Sequence, residues 1–143
     1  MDFKTTLEWW RKTEREFVKF MLAKYPVEKV EFAPDREFKD RDVKLTINWR
    51  EVTYEVKRDY KSQETGNIAL EVRCNNKPSG ILASKADFII FCLDENEFYF
   101  QKRWELLYRL YTFNKRLTTW GDGDRSEMFL IDKTLLPLLF NKL

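Results

Sequence analysis

The chain has 143 residues, 43% of them hydrophobic and 16% aromatic, with 35% charged residues that nearly cancel to a net charge of +2. That length suits one domain, and the apolar fraction suffices for a core and excludes wholesale disorder. So small a net charge excludes a generic polycation, so any nucleic-acid contact must come from a local basic face.

Residues 5–25 are expected to be helical. Leu7, Trp10, Phe17, Val18, Met21, Leu22 and Tyr25 recur at three- and four-residue steps, and Pro26 ends the pattern. Glu14 falls on this apolar stripe, where a carboxylate is costly unless paired, protonated or metal-linked. Residues 27–33 alternate as a strand, 34–40 read as a polar turn that includes Asp35, and 41–48 alternate again with Val43, Leu45 and Ile47 on one face. A third strand, 51–59, turns Val52, Tyr54 and Val56 inward. Trp49 and Arg50 would form the intervening turn, although no Asn-Gly pair marks it.

Strand 67–74 follows a polar loop, then a loop through Gly80, a short helix within 79–86 and the apolar run 87–93, which suits a strand covered on both faces. "ENEFYFQ" reads as a strand, 102–117 as a helix, "EMFLID" as a late strand and "KTLLPLLF" as a terminal helix interrupted by Pro137. The order predicts an α/β (α+β) domain: one mixed sheet flanked by helices, with residues 1–143 as a single unit.

The chain contains no histidine. Mechanisms that use a histidine base, nucleophile or metal ligand are therefore excluded, and carboxylate, lysine, tyrosine and cysteine chemistry remains. Cys74 and Cys92 form no CxxC and read as reduced thiols, which points weakly to an intracellular, cytoplasmic protein. The charged N-terminus does not resemble a signal peptide, and no apolar run approaches the ~20 residues of a membrane span.

If strands 41–48 and 51–59 pair, Asp42, Glu55 and Lys57 share the face opposite the apolar one. Glu55 and Lys57 stand two apart, about 7 Å along the strand. With Glu14 from the helix, three carboxylates and an amine can converge. Mg²⁺ prefers such hard oxygen ligands, and phosphodiester hydrolysis uses a metal to neutralise charge and activate water. An amine beside it orients water or stabilises developing charge.

The arrangement of Asp42, twelve residues, then Glu55-Val56-Lys57 resembles the PD-(D/E)xK nuclease signature, and the element order is similar to that superfamily's αβββαβ core, the restriction-endonuclease-like fold. The runs "EVKRDYKSQETGNIALEV", "KPSGILASKADFIIF" and "GDGDRSEMFLIDKTLL" are similar to small phage- and virus-type members. The literal Pro34-Asp35 lies upstream of the strand, so Asp42 takes the motif position.

The resemblance implies a metal-dependent endodeoxyribonuclease of phage, viral or repair type, with a Holliday-junction resolvase as one version. It implies Mg²⁺ or Mn²⁺ on Asp42, Glu55 and the Val56 carbonyl, Lys57 positioning water and Glu14 completing the site. Asp59 and Glu71 would support the ligands. Asn67, Ser79, Lys61 and Lys85 would contact DNA, Gly66 would shape the loop beside Asn67, and Gly80 and Ser84 with Ser79 could contact phosphate at a helix N-terminus. A homodimer would serve paired nicks. The alternative from another class is a non-catalytic nucleic-acid-binding module on the same fold. Trp9, Trp49, Trp104 and Trp120 read as core or interface residues ahead of base-stacking platforms, and "GDGD" at 121–124 as a plain turn. Arg11, Lys12, Arg15, Arg73 and Lys77 could track a phosphate backbone.

Overall fold

A computed structural model describes residues 3–33, 41–59, 62–93, 97–113, 117–120 and 125–143; the side chains of residues 3–10, 62, 63 and 120 fall outside that description. The first helix, α1 (Phe3–Lys24), is followed by β1 (Val27–Phe32), β2 (Val43–Ile47) and β3 (Arg50–Arg58). A one-turn helix α2 (Ser62–Thr65) leads to β4 (Asn67–Cys74), β5 (Lys77–Pro78) and a second one-turn helix, α3 (Gly80–Ala83). Then come β6 (Phe88–Leu93), β7 (Glu97–Lys102), α4 (Arg103–Thr112), β8 (Leu117–Trp120) and β9 (Ser126–Asp132). A 3₁₀ turn (Lys133–Leu135), α5 (Leu136–Leu139) and β10 (Asn141–Lys142) finish the chain.

The expected mixed sheet is present. It has six strands in the order β1-β2-β3-β6-β7-β10, antiparallel throughout except for β3 beside β6. The single-sheet expectation needs one correction. β4 does not join this sheet but forms a second, four-stranded antiparallel one in the order β5-β4-β9-β8. Its alternating sequence marks one buried face without saying which sheet provides the cover.

β6 is the central strand, and its apolar run is buried on both sides. On one side, Ile90 and Cys92 join Val43, Leu45 and Tyr54 under Phe17, Val18 and Met21 of α1. On the other, Ile89, Phe91 and Leu93 meet Ile68, Leu70 and Val72 of β4, Phe129 and Ile131 of β9, and Leu106 and Leu110 of α4. At about 1.5–3 kcal/mol per fully buried large apolar side chain, these two clusters are the main source of stability.

The helix expected over 102–117 stops at Thr112, and the chain resumes as β8 at Leu117. The terminal helix shrinks to a 3₁₀ turn and the short α5, with Pro137 in its first turn where its missing N–H costs nothing. Among the described residues no helix is long and apolar enough to cross a membrane.

Candidate functional site

The hairpin β2–β3 builds the site. Its register pairs Val43 with Tyr54 and Ile47 with Arg50, so the two-residue loop is Asn48 and Trp49, one residue earlier than the expected Trp49–Arg50 turn. One further step along that register sets Asp42 opposite Glu55. On its other edge β3 pairs Glu55 with Ile89 and Lys57 with Phe91. Neighbours in register point the same way, so Asp42, Glu55 and Lys57 share the face turned towards the second sheet.

Asp42 and Glu55 are both buried, at 4% and 7% exposure. The Val56 backbone N–H donates to Asp42 Oδ2 at 2.8 Å, which fixes that carboxylate across the strand pair. Lys57 Nζ lies 3.4 Å from Glu55 Oε1, with the lysine side chain about one-third exposed. Burial pushes the Glu55 carboxyl above its ordinary value; the Asp42 charge adds to that, while Lys57 and a hydrogen bond from the Ser84 hydroxyl oppose it. Further up the same face the half-buried Glu31 behaves in the opposite way. Hydrogen bonds from Lys44 and Lys29 hold its pKa at about 2. A solvated charge network therefore shades, along one hairpin face, into a pair of buried like charges.

Two adjacent buried carboxylates with partial compensation suit a cation. The donors, two carboxylates and the backbone carbonyl of Val56, are the hard oxygens that Mg²⁺ takes, with water and phosphate completing its shell. Glu14 is buried, as its place on the stripe implied, but α1 covers the opposite face of the sheet. Among the described residues no three His, Cys, Asp or Glu side chains stand arranged to hold a metal ion. The expected convergence of three carboxylates is thus reduced to the Asp42–Glu55 pair.

The other anticipated residues scatter. Asp59 Oδ2 accepts the Ala69 N–H at 3.0 Å, tying the end of β3 to β4. Glu71 accepts the Ser79 hydroxyl at 2.8 Å, so those two engage each other. Asn67 opens β4 opposite Asp132 in the second sheet. Lys85 is exposed beyond α3, and Gly66 has positive φ with open space about it. Lys61, Asp35 and "GDGD" lie outside the described residues. Trp49 and Trp104 are 91% and 63% exposed, so neither is a core residue; the side chains of Trp9 and Trp120 are not described.

Two contributors differ from the sequence expectations. Ser84 is expected to contact phosphate. It is buried, its hydroxyl bonds Glu55, and its Oγ accepts the Ala86 N–H at 3.1 Å. Arg58 is not among the expected site residues. Its Nη1 bonds Thr13 Oγ1 at 3.2 Å and lies 3.5 Å from Glu16 Oε2, clasping α1 on both sides of Glu14. The alternation of β3 does place Arg58 on the α1 face, and that was the available signal.

No family model and no curated protein matches this sequence. Among solved structures, the fold is similar to that of a bacterial homing endonuclease, I-Ssp6803I, with a TM-score of 0.50 and 18% identity. The match covers 66% of this chain and 66% of the endonuclease chain, just under two thirds of the latter's length. At that identity the likeness is one of fold.

Proposed function

We propose that this chain is a metal-dependent nuclease that hydrolyses phosphodiester bonds in DNA, cutting internally and belonging with the small phage- or virus-type PD-(D/E)xK enzymes. The observation that carries the reading is the buried Asp42–Glu55 pair with Lys57 Nζ 3.4 Å from Glu55. The fold likeness to a homing endonuclease supports it.

Hydrolysis needs water to attack phosphorus, a P–O ester bond to break and the leaving oxygen to take a proton. Lys57, one-third exposed and set against Glu55, is suited to orient the attacking water or to donate to charge developing on the phosphoryl oxygens. Asp42, Glu55 and the Val56 carbonyl are the groups that would hold Mg²⁺ or Mn²⁺. Bound there, such an ion would neutralise phosphoryl charge and acidify water. Ser84 and the Val56 N–H hold the two carboxylates in place.

A non-catalytic nucleic-acid-binding module is the second reading, favoured by the lack of a three-acid group among the described residues. Labelled single-stranded, duplex and four-way-junction DNA, incubated with Mg²⁺, Mn²⁺ or EDTA, separates the two. Cutting that needs metal and is lost in Lys57→Met supports the nuclease. Binding without cutting in either metal supports the module.

A further inference from the structure

We infer that Trp49, at the tip of the β2–β3 hairpin, is a base-stacking contact that grips an unpaired base of the nucleic acid at a distance from the reacting phosphate. The inference rests on the nucleic-acid reading above and adds to it a contact residue.

The tip is a two-residue loop closed by the Ile47–Arg50 pair, with Asn48 at φ 50° and Trp49 at φ 67°. Two successive positive φ values are what a tight hairpin of this hand requires, and Gly, Asn and Asp meet that requirement cheaply. A bulky aromatic in that region is an outlier. The same chain solves the same problem elsewhere at lower cost. Its β4–β5 turn uses Asn75 and Asn76, at φ 52° and 62°. At the β2–β3 tip, asparagine is kept at the first position and tryptophan occupies the second. Local strain of this sort points to a use.

That use is not packing, because Trp49 is 91% exposed, the most exposed of the large apolar side chains described. A protein partner would need roughly 800 Å² of continuous surface on each side. The tip instead offers one indole on a stiff two-stranded arm, flanked by exposed Asn48 and Arg50. One aromatic face with an adjacent cation and amide is the combination that holds a base by stacking while the cation meets a phosphate.

The hairpin also fixes the spacing. Glu55 lies six residue steps along the strand from Trp49, which is about 20 Å. At about 3.4 Å per stacked nucleotide, the gripped base lies roughly six nucleotides from the phosphate at Asp42 and Glu55.

The test compares wild type, Trp49→Asn and Trp49→Phe. Fluorescence anisotropy reads binding of a fluorescein-labelled single strand, and of a duplex with a single-stranded gap, in Mg²⁺ and in EDTA. Thermal melts run alongside. Trp49→Asn should melt at the same temperature as wild type or higher, yet bind at least about tenfold more weakly, the loss expected for one stacked base. Trp49→Phe should stay within about threefold of wild type, because a ring remains to stack.

Undiminished binding by Trp49→Asn while wild type binds and cuts DNA would overturn the inference and leave the nuclease reading standing. Wild type that neither binds nor cuts any of these DNAs would overturn both. Self-association of wild type that disappears in Trp49→Asn, with DNA binding unchanged, would make the tip a protein contact and likewise overturn the inference.

Discussion

Replacing Lys57 by methionine keeps the aliphatic stem and removes the ammonium 3.4 Å from Glu55 Oε1. At an effective dielectric of about 20, a unit charge pair at that distance attracts by about 5 kcal/mol. The lysine side chain is 35% exposed, and solvent screens exposed pairs towards ~1 kcal/mol or less. The loss should therefore fall between, at about 1–3 kcal/mol, or about 3–10 °C in Tm for a chain of this size. Its pH dependence is the sharper signature. Burial and Asp42 already raise the Glu55 pKa, and Lys57 is the strongest influence holding it down. Removing Lys57 raises it further. A carboxyl raised in the folded state contributes its stability fully below the unfolded carboxylate value, near ~4.3, and loses it as pH rises through the folded value. The gap in Tm between wild type and Lys57→Met should thus be small near pH 4 and widen towards neutrality. Thermal melts followed by circular dichroism across that range read it directly. A gap that is constant with pH, or that closes towards neutrality, would refute the coupling between Lys57 and the buried carboxylate pair.

Metal binding should be visible without any substrate. Mg²⁺ at about 100 times its Kd should add about 2.7 kcal/mol of stability to wild type, seen as a rise in Tm, and should add almost nothing to Asp42→Asn or Glu55→Gln. Gly80→Ala should lose at least ~2 kcal/mol. Gly80 has φ 52°, and an added Cβ would be driven into the Glu71 carbonyl oxygen. Hydrogen exchange should then quicken around α3 and Ser84, and a variant as stable as wild type would contradict that packing.

Period and punctuation in the sequence carried much of the architecture. The α1 stripe placed Phe17, Val18, Met21 and the buried Glu14 on one helix face, and the alternation of β2 and β3 separated Asp42, Glu55 and Lys57 from the apolar face. What the sequence left open was cover. "NIALEVRC" declares a buried side, and only tertiary packing assigns it to a second sheet beneath β6. β8 was hidden because the apolar spacing of α4 runs on towards Leu117. The role of Ser84 was hidden for a related reason: a serine after a short helix looks like a capping or phosphate-binding group until the fold brings Glu55 within reach of its hydroxyl. Glu14 was legible as buried, but its distance from the carboxylate pair depends on which sheet face α1 covers, and no local pattern encodes that. Trp49 was legible as a turn residue, but its near-complete exposure and left-handed backbone were not, since propensity disfavours tryptophan in that conformation.

The central claim is that Asp42, Glu55 and Lys57 form a metal-dependent phosphodiesterase site. Its most direct test is cleavage of labelled DNA substrates by wild type and by folded Asp42→Asn, Glu55→Gln and Lys57→Met proteins, with Mg²⁺ or Mn²⁺ and with EDTA. Wild type should cut only with metal, and each variant should lose about a hundredfold or more in rate, the scale of removing one group that stabilises charge in the transition state. Cutting that persists in EDTA, or that survives all three substitutions, would contradict the claim.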